Sequence, residues 1–94
     1  MLEMSVDEAS ELLAAVAEPV RLAILHRLTE GRCCVCDLQR GTPIAANLLS
    51  YHLRILREAE LVHAIKRGRW VDYELTTDAL ARLHAAIPAA PRDC

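Results

Sequence analysis

Ninety-four residues suit one domain, not two, and a domain this small is marginal alone and gains from a partner subunit. Hydrophobic residues make up 53% of the chain, yet Phe is absent and the aromatics stop at Tyr51, Trp70 and Tyr73, so the core must be Leu, Ile, Val and Ala, a palette that favours helices. No apolar run approaches a membrane span, and residues 1–10 are acidic where a secretory leader would be basic and then apolar; the expectation is a cytoplasmic protein whose four cysteines are reduced thiols.

In chain order, Ser5 and Glu8 have the spacing of a capping box, and Leu12, Leu13 and Val16 repeat behind them at helical intervals. That helix should end near Glu18-Pro19, and Pro19 can open the next one, because a first-turn N–H has no intrahelical partner. Leu22, Ile24, Leu25 and Leu28 supply its apolar face and Gly31 its stop. Residues 34–40 read as a short helix closed by Gly41, and Thr42-Pro43 as a turn. A longer helix over residues 44–59 follows, with Leu49, Leu53 and Leu56 inward. Ala45 cannot cap it, which assigns that work to Thr42. A short helix, a turn and a longer helix in that order outline a helix-turn-helix.

Residues 62–66 and 70–75 are rich in Val, Ile, Trp and Tyr and pair as a hairpin with Arg67-Gly68-Arg69 at its tip. Thr76 or Thr77 can cap a last helix striped by Leu80, Leu83 and Ile87 and ended by Pro88, leaving residues 89–94 as a loose tail. The expected architecture is one domain over residues 1–94, mainly α with a small β-hairpin.

The net charge of −2 argues against nucleic acid, but its distribution argues for it. Residues 1–20 hold five acidic groups and no basic one, whereas residues 40–69 hold six basic groups against two acidic. Local basic density is what attracts phosphates. On the long helix Asn47, Ser50, Tyr51, Arg54 and Glu58 form a polar stripe opposite the leucines, with Arg57 beside it. Short polar groups suit base edges in the major groove, and arginines suit guanine or phosphate. Lys66, Arg67 and Arg69 at the hairpin tip can lie over the adjacent backbone or minor groove of double-stranded DNA. His52 flanks the leucine face and reads as packed or hydrogen-bonded; His26 and His63 read as structural too.

Arg32-Cys33-Cys34-Val35-Cys36-Asp37-Leu38 places three cysteines within four residues at the start of a short helix, where unpaired N–H groups favour thiolate. Thiolates bind soft ions: arsenic(III), antimony(III), cadmium, lead and zinc. Arsenic(III) needs three thiolates, and cadmium or zinc usually wants a fourth ligand. On a regular helix Cys34 and Cys36 project to nearly opposite sides, so they share an ion only if Cys34 precedes the helix or the first turn distorts. The third thiol is then Cys33, or Cys94 from the tail of this subunit or its partner.

These segments together resemble the ArsR/SmtB family of metal-responsive winged-helix repressors, over about residues 11–87. The resemblance rests on Glu18-Pro19-Val20-Arg21-Leu22-Ala23-Ile24-Leu25, on Cys34-Val35-Cys36-Asp37-Leu38, on the run from Leu49 through Ser50-Tyr51-His52 to Glu58, and on Arg67-Gly68-Arg69-Trp70-Val71-Asp72-Tyr73. It implies a winged helix-turn-helix homodimer joined through the first and last helices. It also implies a repressor, not an enzyme, released from operator DNA by an ion. Arsenite or antimonite is the first expectation, cadmium or lead the next, and zinc a further one. Cys34 and Cys36 match the paired cysteines of the arsenic- and cadmium-type sites. The arsenic-type third cysteine, three residues after the second, is here Gln39, so Cys33 or Cys94 must substitute. Some members bind zinc, cobalt or nickel between the last helices through Asp and His pairs; here Asp78 and His84 lack a partner at position 89, and no such site is expected.

The expected mechanism is linkage: thiolate coordination restrains the start of the 34–40 helix, packed under the reading helix, and the dimer loses the groove spacing. One alternative is a redox or persulfide switch on the same scaffold using Cys36 and Cys94. Another is a thiol oxidoreductase using Cys34 and Cys36, disfavoured by the lack of a strand before the cysteines and of a cleft-forming second domain. A third is a bare structural zinc site, which chelation would unfold.

Overall fold

The computed structural model describes residues 4–89. Helix α1 (Val6–Val16) opens on Ser5, whose hydroxyl accepts the Glu8 N–H while the Glu8 carboxylate accepts the Ser5 N–H. Both halves of the expected capping box are made. Helix α2 (Pro19–Leu28) has Pro19 in its first turn and Glu18 as its cap, accepting from the Arg21 N–H at 2.9 Å. The ladder of α2 ends near Thr29, and Gly31 then takes a φ of +124° that a side chain would resist.

Cys33–Cys34 form a two-residue strand, β1, that the sequence did not announce. It leads directly into α3 (Val35–Gly41), then a turn, then α4 (Ala46–Glu58). Helix α4 starts two residues later than expected. Thr42 does not cap it, and Ala45 stands at the cap position without a side-chain bond. Gln39 laces the turn instead, its Nε2 donating to the Ile44 carbonyl at 2.6 Å. The end of α4 is tighter: Glu60 adopts φ +59°, and the Leu61 N–H reaches back to the Leu56 carbonyl at 3.0 Å, the bond of a Schellman closure.

Strands β2 (Val62–Arg67) and β3 (Trp70–Leu75) form the expected hairpin. Arg67 lies opposite Trp70 and the two loop residues begin with Gly68 at φ +60°, the glycine-first pattern of a type II′ turn. The sheet is three-stranded and antiparallel in the order β1-β3-β2, with Cys33 opposite Tyr73 and Cys34 opposite Asp72. Helix α5 (Ala79–Ala85) is shorter than its apolar stripe, so Ile87 falls beyond it. Neither Thr76 nor Thr77 caps it: Asp78 holds the cap position, and the Thr76 hydroxyl donates to the Glu60 carbonyl.

The core joins Leu12, Ile24, Leu28, Leu38, Leu53 and Leu56, among others, so each of the first four helices contributes its apolar stripe. The main neighbours of α3 are β1 and β3, not α4 as the sequence led us to expect. Among the described residues no helix is long and apolar enough to cross a membrane. Cys94 lies outside the described residues.

Candidate thiolate site and nucleic-acid interface

The alternation of a strand decides which thiol faces where. Cys33 points inward, 3% exposed, and its Sγ donates to the Cys34 carbonyl. Cys34 keeps extended backbone angles (φ −75°, ψ 155°) as the N-cap of α3, and its Sγ accepts the Asp37 N–H at 3.4 Å. Because Cys34 precedes the helix, the helical objection to a Cys34–Cys36 pair falls away. Sγ of Cys34, Sγ of Cys36 and a carboxylate oxygen of Asp37 all lie within 4.8 Å of one another. Cys33 stands apart from this group. Asp37, which sequence reading did not assign as a donor, completes it and also pairs with Arg40. Its place directly after Cys36 in the first turn was the signal that could have found it.

The expected stabilisation of thiolate by the helix start is outweighed. The hydrogen bond shared with the Cys36 thiol, helped by desolvation and mutual repulsion, holds the Cys34 thiol above its usual range. Burial raises Cys33 as well. An ion bound here has to displace protons from thiols.

The residues of α4 that were expected to face DNA are on the surface. Asn47, Ser50, Tyr51, Arg54 and Arg57 are exposed and, with Tyr73, line a cleft of about 470 Å³ between α4 and the hairpin. The Arg54 guanidinium lies 5.7 Å from the Tyr51 ring centre, and Arg57 donates to the Tyr73 hydroxyl at 2.8 Å, tying α4 to β3. His52 is buried, and its Nδ1 accepts from Arg21 at 2.9 Å, so it fastens α4 to the start of α2. His63 and His26 are exposed; His63 pairs with Glu74 across the hairpin at 2.8 Å.

On the hairpin, Lys66 and Arg69 are exposed and make no salt bridge among the described residues. Arg67 is engaged. Its Nε and Nη2 donate to the two oxygens of Asp72 at 2.6 and 2.9 Å, and Arg32 Nε lies 3.5 Å from the same carboxylate. The Arg67 hydrogen bonds and the two positive charges hold the Asp72 carboxyl below its ordinary range although burial opposes this.

A further surface is apolar. Leu13, Val16, Leu22, Leu80, Leu83 and Ile87 line a groove of about 250 Å³ where α1, α2 and α5 meet, with Leu80 43% and Ile87 53% exposed.

Residues 18–64 match the family described as "Bacterial regulatory protein, arsR family", a span that runs from the cap of α2 through the thiol cluster and α4 into β2. An "HTH-type transcriptional repressor SmtB" of Mycobacterium tuberculosis is 42% identical over 77 residues, 82% of this chain and 57% of that protein. An "Arsenical resistance operon repressor" of Bacillus subtilis is 38% identical over 65 residues, 68% of this chain and 62% of that protein. The chain therefore spans less than two thirds of the length of these two curated relatives. A solved structure described as a "Possible transcriptional regulator for arsenical resistance" matches with a TM-score of 0.75 at 39% identity, covering 80% of this chain and 78% of that one.

Proposed function

The chain belongs to the ArsR family of bacterial regulatory proteins, and from that premise we propose that it is a single-domain repressor that binds double-stranded operator DNA as a homodimer and leaves it when a thiophilic ion is captured by Cys34 and Cys36. The family is one of regulators, not of enzymes. The observation that carries the reading is the meeting of the two thiols and the Asp37 carboxylate at the lead-in to the helix-turn-helix.

The donor set bears on the ion. Two thiolates and a carboxylate suit cadmium, lead or zinc, which accept mixed sulfur and oxygen ligands. Arsenite or antimonite needs a third thiolate, which Cys33 would supply by leaving the core or Cys94 by arriving from the tail.

DNA binding is assigned to Asn47, Ser50 and Tyr51 at base edges and to Arg54, Arg57, Lys66 and Arg69 at phosphates or guanine, with Arg67 offering only the N–H groups it does not give to Asp72. The half-exposed leucines of the α1–α2–α5 groove support pairing with a second copy, which would set two reading helices about one DNA turn apart. Ion capture then favours a dimer shape with weaker hold on DNA. Coupling of roughly 1–3 kcal/mol corresponds to a 5–150-fold change in operator affinity.

The test is fluorescence anisotropy on a duplex selected from a random pool by the ion-free protein, titrated with arsenite, cadmium, lead and zinc in reducing buffer. Release that disappears in Cys34→Ser and Cys36→Ser supports the reading. Release that survives both substitutions, or DNA binding that no ion alters, contradicts it. Asp37→Asn and Cys94→Ser then separate a carboxylate from a thiol as third donor.

A further inference from the structure

We propose that Asp72 is the positioning residue through which an ion held by Cys34 and Cys36 acts on the β2–β3 hairpin; the inference rests on the thiolate-sensor reading above. Three placements carry it. First, Asp72 lies opposite Cys34 in the β1–β3 pair, and partners directly opposite in an antiparallel pair share one face of the sheet. Second, β3 is the middle strand, and on its other side Asp72 faces Ile65, so Arg67, two residues further along β2, is its diagonal neighbour on that same face. Third, the Asp72 side chain is almost wholly buried and its carboxylate is taken on both oxygens by Arg67, with Arg32 beside it. Arg32 immediately precedes β1 and Arg67 ends β2. One carboxylate thus clamps the segment that leads into the thiols to the strand end that carries the hairpin tip.

Helix α3, which carries Cys36, rests on β1 and β3. Drawing the two sulfurs onto an ion moves Cys34 and with it a two-residue strand whose one partner in the sheet is β3, where Cys34 meets Asp72 and Cys33 meets Tyr73. The shift passes to Arg67 and from it to the tip bearing Lys66 and Arg69. While its Nε and Nη2 hold Asp72, Arg67 offers a DNA phosphate only its remaining N–H groups and a charge already paired. The clamp therefore sets both where the hairpin points and how much positive charge it offers.

Asp72→Asn and Arg67→Gln test this. Arg67 is half-exposed, so its variant removes the clamp from the solvent side should Asp72→Asn fail to fold. Three quantities are read on the full chain with cadmium as the probe: sulfur-to-cadmium charge-transfer absorption, fluorescence of Trp70, and the ratio of DNA affinities without and with cadmium. Trp70 is the only tryptophan and sits at the hairpin tip opposite Arg67, so it reports the hairpin. The expected result is wild-type absorption at the thiols, no Trp70 response, and an affinity ratio reduced by about 2–30-fold, the range seen for substitutions that weaken coupling. A double variant no worse than either single one would place both residues in one unit. Folded variants that keep the wild-type ratio and the Trp70 response overturn the proposal. A wild type that shows no absorption at Cys34 and Cys36 overturns the sensor reading instead, and this inference with it.

Discussion

Cys33 and Cys34 are neighbours in sequence and opposites in environment. The first is in the core and the second half-buried on the opposite face, because a strand alternates its side chains. Their substitutions should separate accordingly. Cys33→Ser sets a hydroxyl among leucines and is expected to cost about 1–3 kcal/mol in urea unfolding, whereas Cys34→Ser should stay within about 0.5 kcal/mol. Equal losses would mean that the two thiols are not divided as described. Charge follows the same logic. Arg67 and Arg32 lower the Asp72 carboxyl, and backbone N–H donors lower Glu8 and Glu18. A lowered carboxyl contributes stability that is complete above the ordinary carboxylate range and is lost as pH falls through its folded value. The melting temperature should therefore be flat from about pH 7 to 5 and fall below about pH 4, the usual carboxylate value, with a shallower fall in Asp72→Asn. A variant with the wild-type slope would deny Asp72 that role. The sequence showed the thiols, the polar stripe of α4 and the packed His52, because type and spacing reveal them. It did not show that Arg67 faces Asp72, because that pairing depends on the hairpin register.

At the level of elements, the helices were legible wherever a local rule decides them. The Ser5–Glu8 box, Pro19 at the start of α2 and the glycine at the hairpin turn all fall where local chemistry places them. Boundaries set by tertiary contacts were not. Strand β1 has two residues and no alternating pattern of its own; only pairing with β3 defines it. No side chain caps α4 where Thr42 was expected to; Gln39 holds the turn before it, its Nε2 reaching the Ile44 carbonyl five residues on. The closure of α4 hid a strained residue, Glu60, in the left-handed region that favours glycine. Glu60→Gly removes a strain of about 1–2 kcal/mol but frees the unfolded backbone, and a net gain of up to about 1 kcal/mol in thermal unfolding is expected. A loss of stability would show that contacts of the Glu60 side chain outweigh the strain.

For the whole molecule, the arrangement separates three surfaces: the polar face of α4 with the hairpin, the thiol cluster beside it on the same sheet, and the apolar groove of α1, α2 and α5. The groove is the surface assigned to a second copy. Leu80→Glu should shift sedimentation from dimer to monomer and lower affinity for a two-half-site duplex at least tenfold, while leaving a folded chain, since Leu80 is already 43% exposed. An unchanged sedimentation coefficient would place the partner elsewhere. If ion capture and DNA binding are linked through one change of shape, each must weaken the other by the same factor. The most direct measurement is therefore the affinity of the full chain for cadmium, read by charge-transfer absorption with and without saturating duplex. Cadmium should bind more weakly on DNA, by the same factor with which cadmium weakens DNA binding; equal cadmium affinity in the two states would mean that the sites are not linked.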